Sequence, residues 1–152
     1  MFAGRPYNIQ QVIEQLIHTA GELGLPFGKR EKTFNSRLAQ ELGKFAEQQQ
    51  KGDDYHNALF RAYFADGLNI GLSSTLVELG VSLGLNPATV QDVLEKRLFK
   101  EAVDKDWTRS HQMGVNAVPT FMIDGMSLVG AQPYEKLAQM MVTSGVKKRD
   151  LI

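Results

Sequence analysis

The sequence contains no cysteine. It therefore has no disulfide framework, no thiolate nucleophile and no sulfur ligand for zinc. It also lacks an excess of charge: 17 Lys and Arg residues balance 17 Asp and Glu residues. A balanced chain has no field with which to capture a polyanion, so no nucleic-acid partner is expected. The short basic clusters Lys29, Arg30, Lys32 and Lys147, Lys148, Arg149 read as a solvated surface and a tail. No run approaches the roughly 18 apolar residues of a membrane span, so no membrane partner is expected. The opening MFAGRPYNIQQ has neither a basic stretch nor a long apolar core. It does not read as a signal peptide, and a cytoplasmic location is the expectation.

What is present suits one globular domain. The 152 residues are 43% hydrophobic and 22% charged, enough to bury a core. Apolar residues recur at helical spacing over about 8–24 (Ile9, Val12, Ile13, Leu16, Ile17, Ala20), with Gly24 and Pro26 as stops. A second helix is expected over 35–50, with Leu38, Leu42 and Phe45 on one face and Gly52 ending it. A third, capped by Asp53 and ending near Ala65, carries two stripes: Tyr55, Leu59, Ala62 and Tyr63, then Phe60 and Phe64. So apolar a helix is expected to have contacts on more than one side.

A helix over 74–83 is expected to bury Leu76, Leu79 and Leu83. The clearest start signal follows in LNPATV: Asn86 is a good N-cap, Pro87 suits the first helical position, and Leu85 and Val90 have hydrophobic-staple spacing. A helix over about 99–113 carries Phe99, Val103 and Trp107, with Gly114 as its stop. The pattern then changes. VPTFMIDGMSLVG reads as two short strands joined at Asp124-Gly125, a pair suited to the positive φ of a tight turn. Pro133 opens a last helix, with Leu137, Met140 and Met141 inward and Gly145 at its end. The expected fold is mostly α with a short β-hairpin: one domain, with a helical subdomain at 8–113 and a hairpin and helix at 114–145.

No motif for catalysis or cofactor binding stands out. His18, His56 and His111 fall on three different helices, and a structural or surface role is expected for each. There is no G-x-S-x-G elbow, no G-x-G-x-x-G after a strand and no phosphate loop. Catalytic residues, metal ligands and cofactors are expected to be absent. Read by itself, Pro119 is a plain turn proline at the start of a strand.

Taken together, FNSRLAQELGKFA, LFRAYFADGLNIG, LVELGVSLGLNP, MGVNAVPTFMIDG and LVGAQP resemble the DsbA-like thioredoxin-fold proteins, in particular the FrnE-type dithiol oxidoreductase branch. The resemblance covers about residues 33–143 and rests on the order of the segments. It implies a partial thioredoxin-like fold with a helical insertion. It places Val118 and Pro119 on the family's cis-proline substrate loop. It makes Asn35 the opener of an insertion helix, and Gly130, Ala131, Gln132 and Pro133 the turn into the final helix. Ala117 stands where the family usually has glycine. The family's strand–CxxC–helix–strand unit has no counterpart, nor does the site of the catalytic serine in related isomerases and kappa-class glutathione transferases.

The resemblance therefore implies a family member without dithiol–disulfide exchange in this chain, either a truncated remnant or a chain that works with a partner surface. The alternatives are a glutathione-using isomerase or transferase-like enzyme with a non-thiol site, and a helical interaction module. A cis Val118-Pro119 bond is the family expectation. Without the missing unit, the edge of the strand at 120–123 and the apolar faces of the final helix and the helix at 53–65 would be left bare, so a homodimer through them is expected, the alternative being a monomer in which the N-terminal helix folds back over the sheet.

Overall fold

The computed structural model describes residues 9–29 and 32–147. Arg30, Lys148 and Arg149, members of the two basic clusters, lie outside them. The elements are α1 (Ile9–Glu22), α2 (Arg37–Gln48), α3 (Gly52–Phe60) running into one π-helical turn (Arg61–Ala65), α4 (Ser73–Ser82), α5 (Pro87–Glu95) and α6 (Lys100–Gln112). The antiparallel pair β1 (Thr120–Ile123) and β2 (Met126–Val129) comes next, then α7 (Tyr134–Thr143). The chain is predominantly α-helical with one short antiparallel hairpin, a partial thioredoxin-like architecture. It divides within α6, between Asp104 and Lys105, into two compact units. Among the described residues no helix is long and apolar enough to cross a membrane.

The helical unit is built on α2. Ala39, Leu42 and Ala46 recur every three or four residues and are fully buried. The two alanines let neighbouring helices come close, and Leu42 contributes about 2 kcal/mol through its burial. Tyr55 of α3, Leu76 of α4 and Val90 of α5 complete the centre of this core. The Tyr55 hydroxyl donates to the Ala39 carbonyl at 2.9 Å, and burial pushes its phenol above the ordinary range. The LNPATV signal holds: Asn86 Oδ1 accepts from the Thr89 amide at 3.1 Å, Pro87 opens α5, and Leu85 and Val90 are both buried.

Several expectations change. Gly52 opens α3 rather than closing α2. Gln50, at φ 58°, closes α2 instead, with the Lys51 amide donating back to the Ala46 carbonyl. Asp53 is not a cap; it sits with Asp54 in the first turn of α3, where the helix field favours a carboxylate. Phe60 and Phe64 are exposed. Their rings contact each other, and Phe60 stacks on His56 at 6.2–6.4 Å. Met141, expected inward, is also exposed, whereas Met140 is buried.

The segment before α2 is pinned to the end of the π-helical turn. The Gly28 amide donates to the Phe64 carbonyl at 2.8 Å, and the Phe27 and Phe64 rings lie 6.1 Å apart. A Cβ at Gly28 would overlap the Ala65 carbonyl oxygen. Gly28→Ala is therefore expected to lower stability by about 1–3 kcal/mol through forced backbone displacement, read in urea unfolding. An unchanged midpoint would mean that this segment moves aside freely.

Among the described residues one carboxylate, Glu41, is fully buried. Arg97 grips it with both arms, Nε to Oε2 at 2.7 Å and Nη2 to Oε1 at 2.6 Å, and Arg37 adds Nε to Oε1 at 2.8 Å. Arg37 also reaches Asp104 at 2.6 Å and the Lys100 carbonyl at 2.9 Å. The Arg97 hydrogen bonds and those of Arg37 outweigh the desolvation of Glu41 and hold its carboxyl below the usual range. Its contribution to stability is complete above the ordinary glutamate value and is lost as pH falls through the lower folded-state value. Glu41→Gln keeps the shape but gives up one acceptor and the charge. It is expected to cost about 1–3 kcal/mol at neutral pH, with the gap to the parent chain closing as pH falls below the ordinary glutamate range and through the lowered folded-state value. Urea unfolding across that range checks this; a gap independent of pH contradicts it.

Candidate functional site

The candidate site is the loop that leads into the hairpin, and its two ends are fixed by local rules. α6 stops at Gly114, φ 75°, whose amide donates to the His111 carbonyl while the Val115 amide donates to that of Ser110. This pair of hydrogen bonds is the left-handed helix stop that glycine suits. At the far end, Asp124 (φ 46°) and Gly125 (φ 78°) form the two-residue turn expected from their identity. The turn sets the register: Ile123 opposite Met126, Phe121 opposite Leu128 and Thr120 opposite Val129.

Between these points lie Val115 to Pro119. The Val118-Pro119 bond is cis. The Thr120 hydroxyl donates to the Ala117 carbonyl at 2.6 Å, and the Gly130 amide donates to the Pro119 carbonyl at 2.7 Å. The backbone on both sides of Val118 is thus tied down, while the Val118 side chain is 87% exposed. Gly130 (φ 87°), Ala131, Gln132 and Pro133 form the turn into α7. Gln132 donates to the Val129 carbonyl at 2.8 Å, and Pro133 caps the helix. Asn35 lies in the helical unit, where its Oδ1 accepts from the Arg37 amide at 2.8 Å and turns the chain into α2.

The loop offers an apolar side chain and backbone groups and holds no nucleophile or general base. The histidines lie elsewhere: His18 pairs with Glu22 on α1 at 3.4 Å, His56 stacks on Phe60, and His111 ends α6. Among the described residues no three His, Asp or Glu side chains are grouped to hold a metal. An open depression of about 400 Å³ in the helical unit is lined by Glu47, Gln50, Gly52, Asp53 and Asp54. Two of its acids are paired, Glu47 with Lys44 and Asp54 with Lys51. Sequence reasoning missed that depression, because α2 and α3 must pack before its walls exist.

The family model of the DSBA-like thioredoxin domain matches residues 3–142. The chain belongs to that family. Without cysteine, its 152 residues hold no thiolate with which to carry out dithiol–disulfide exchange. It is 32% identical over 95 residues to the uncharacterized protein YwbO of Bacillus subtilis (strain 168), a match covering 62% of this chain and 48% of YwbO. A probable DsbA oxidoreductase from Streptomyces coelicolor superposes with a TM-score of 0.80 at 26% identity, over 94% of this chain and 63% of the other. The chain thus spans about half to two thirds of these relatives. A 2-hydroxychromene-2-carboxylate isomerase superposes at TM-score 0.74 and 19% identity, over 90% of this DSBA-like chain and 66% of the isomerase. That likeness is one of fold.

Purified from thioredoxin, the 152-residue chain is expected to show insulin reduction and dithiol-peptide oxidation no greater than a protein-free blank. Turnover comparable with that of a working dithiol oxidoreductase would require a nucleophile other than a thiolate.

Proposed function

We propose that this chain is a binding member of the DsbA-like proteins, on the FrnE-type branch, whose working surface is the Val118-Pro119 loop. In this reading the loop receives an extended polypeptide without exchanging electrons with it. The observation that carries the proposal is the pairing of an anchored backbone with a valine that is 87% exposed. An apolar side chain held out into water gains by being covered, and a pre-ordered backbone loses little freedom when a ligand arrives. Placement on the FrnE branch is supported by the order of the segments around FNSRLAQELGKFA, LFRAYFADGLNIG and MGVNAVPTFMIDG.

A solution titration tests the reading. Reduced, carboxymethylated insulin B chain, an unfolded polypeptide without free thiols, is added to isotope-labelled protein while backbone amide shifts are followed. The expected result is saturable shifts centred on residues 115–121, weakened several-fold in Val118→Asp. Shifts confined to the helical unit, or none at millimolar peptide, would remove the loop from the function.

A further inference from the structure

The sequence holds two Asp-Gly pairs, Asp66-Gly67 and Asp124-Gly125. Such a pair can react with itself: the glycine nitrogen attacks the aspartate Cγ, and the absent Cβ leaves that approach unobstructed. The two sites are held very differently. In the helical unit the Asp66 amide donates to the Arg61 carbonyl at 3.0 Å, and the Leu68 amide donates to that of Ala62 at 2.8 Å. Ala62 is buried, and the Asp66 carboxylate lies 4.0 Å from Arg61 Nε. Asp124-Gly125, by contrast, is the exposed tip of the hairpin. Among the described residues the Asp124 carboxylate has no hydrogen bond or ion pair. In a two-residue hairpin the flanking residues exchange both ladder bonds, and such pairs then alternate along the strands. The bonded pairs are therefore Ile123 with Met126, Phe121 with Leu128, and Pro119 with Gly130, so the ladder does not use the Gly125 amide. Closing a ring at Asp124 takes a peptide rotation that a fixed turn resists, so local opening sets the rate. A sheet of two strands is marginal and opens more readily than a packed helical core.

We propose that Asp124-Gly125 is a site of spontaneous isoaspartate formation, and that this conversion releases the candidate loop. The Gly125 nitrogen bonds to the Asp124 Cγ, a carboxyl oxygen leaves as water with the amide and carboxyl protons, and a five-membered succinimide remains. Water then opens the ring. Breaking the bond from nitrogen to Cγ restores aspartate. Breaking the bond from nitrogen to the Asp124 main-chain carbonyl carbon gives isoaspartate. Nothing is oxidised or reduced, and one water is released and one taken up. In the product the main chain runs through Cβ and Cγ, one atom longer, with the α-carboxylate as the side group. A two-residue turn has no room for that atom, because its fit depends on the twist set by two consecutive positive φ angles. The bonded pair next to the turn, Ile123 with Met126, is lost first, and Phe121 with Leu128 follows. The last is Pro119 with Gly130, whose 2.7 Å bond anchors the candidate loop. The consequence for polypeptide uptake rests on the binding reading above; the isomerisation and the loss of register do not.

Peptide mapping of the full chain, before and after prolonged incubation at neutral pH and body temperature, is the test. Endoproteinase Asp-N cleaves before aspartate but not before isoaspartate, so one digest reads both sites. The expected result is isoaspartate accumulating several-fold faster at 124 than at 66. Gly125→Asn keeps a residue that tolerates positive φ but places a Cβ beside the attacking nitrogen. It is expected to slow the conversion at 124 several-fold and leave that at 66 unchanged. Amide hydrogen exchange is then compared between the separated isoaspartyl fraction and fresh chain. Phe121, Ile123 and Gly130 are expected to exchange several-fold faster in the isoaspartyl fraction, with α2 to α5 unchanged. Conversion at 124 no faster than at 66 in the parent overturns the site, whatever Gly125→Asn does to the hairpin. An isoaspartyl fraction in which Gly130 stays protected overturns the release. Because no peptide ligand is present, these outcomes are independent of whether the loop binds polypeptide.

Discussion

The second unit depends on one two-residue turn. Asp124 and Gly125 both take positive φ, and that twist matches the twist of the strands they join. Once the turn is made, the rest of the hairpin has no freedom of register. A slip of one residue would move Phe121, Ile123, Met126 and Leu128 to the opposite face. The same register brings the Gly130 amide to the Pro119 carbonyl and fixes one end of the candidate loop. It also leaves Thr120 and Met122 facing outward. Loop geometry and open edge are two consequences of one constraint.

The helical unit relies on a different kind of constraint, a buried charge. Glu41 is inaccessible to water and would be costly there alone. Its two arginines come from distant parts of the chain, Arg37 one turn away on α2 and Arg97 just past α5. Arg97 sits at φ 53°, in the left-handed position that ends α5, with the Leu98 amide donating to the Val93 carbonyl. Glycine suits that position better, because a side chain there costs roughly 1–2 kcal/mol. A glycine would stop the helix equally well but would leave the Glu41 carboxylate without its two-armed partner. The backbone strain at Arg97 is thus offset by a geometry in which both carboxylate oxygens are satisfied.

What could be read from the sequence was local. The Asn86-Pro87 start, the Gly114 stop and the Asp124-Gly125 turn each depend on residues within a few positions of one another, and each formed as expected. The Glu41–Arg97 pair spans 56 residues and has no local signature. Gly52 and Asp53 misled because a glycine and an aspartate between two helices suit either the end of one or the start of the next. The Gln50 turn, which settles that choice, uses a residue without strong preference for positive φ. The exposure of Phe60 and Phe64 was not legible, because the periodicity of a helix shows which residues share a face, not whether that face is covered. At the candidate loop, the residues around Val118 were legible through their order within a known family, whereas the anchoring bonds from Thr120 and Gly130 needed the folded hairpin.

Family membership and the missing thiol together define the functional problem. The fold places a tied-down, apolar-tipped loop beside a strand edge that no third strand takes among the described residues, and the same 152 residues contain no thiol. In the proposed reading this surface works by recognition through backbone groups and apolar contact, the mode by which strand edges take up extended chains. The most direct measurement is residue-resolved amide hydrogen exchange over 117–130 in dilute solution. The account predicts slow exchange for Phe121 and Ile123. Thr120 and Met122 should exchange fast. Protection of Thr120 and Met122 in dilute solution, or fast exchange at Phe121, would contradict the register on which the account is built.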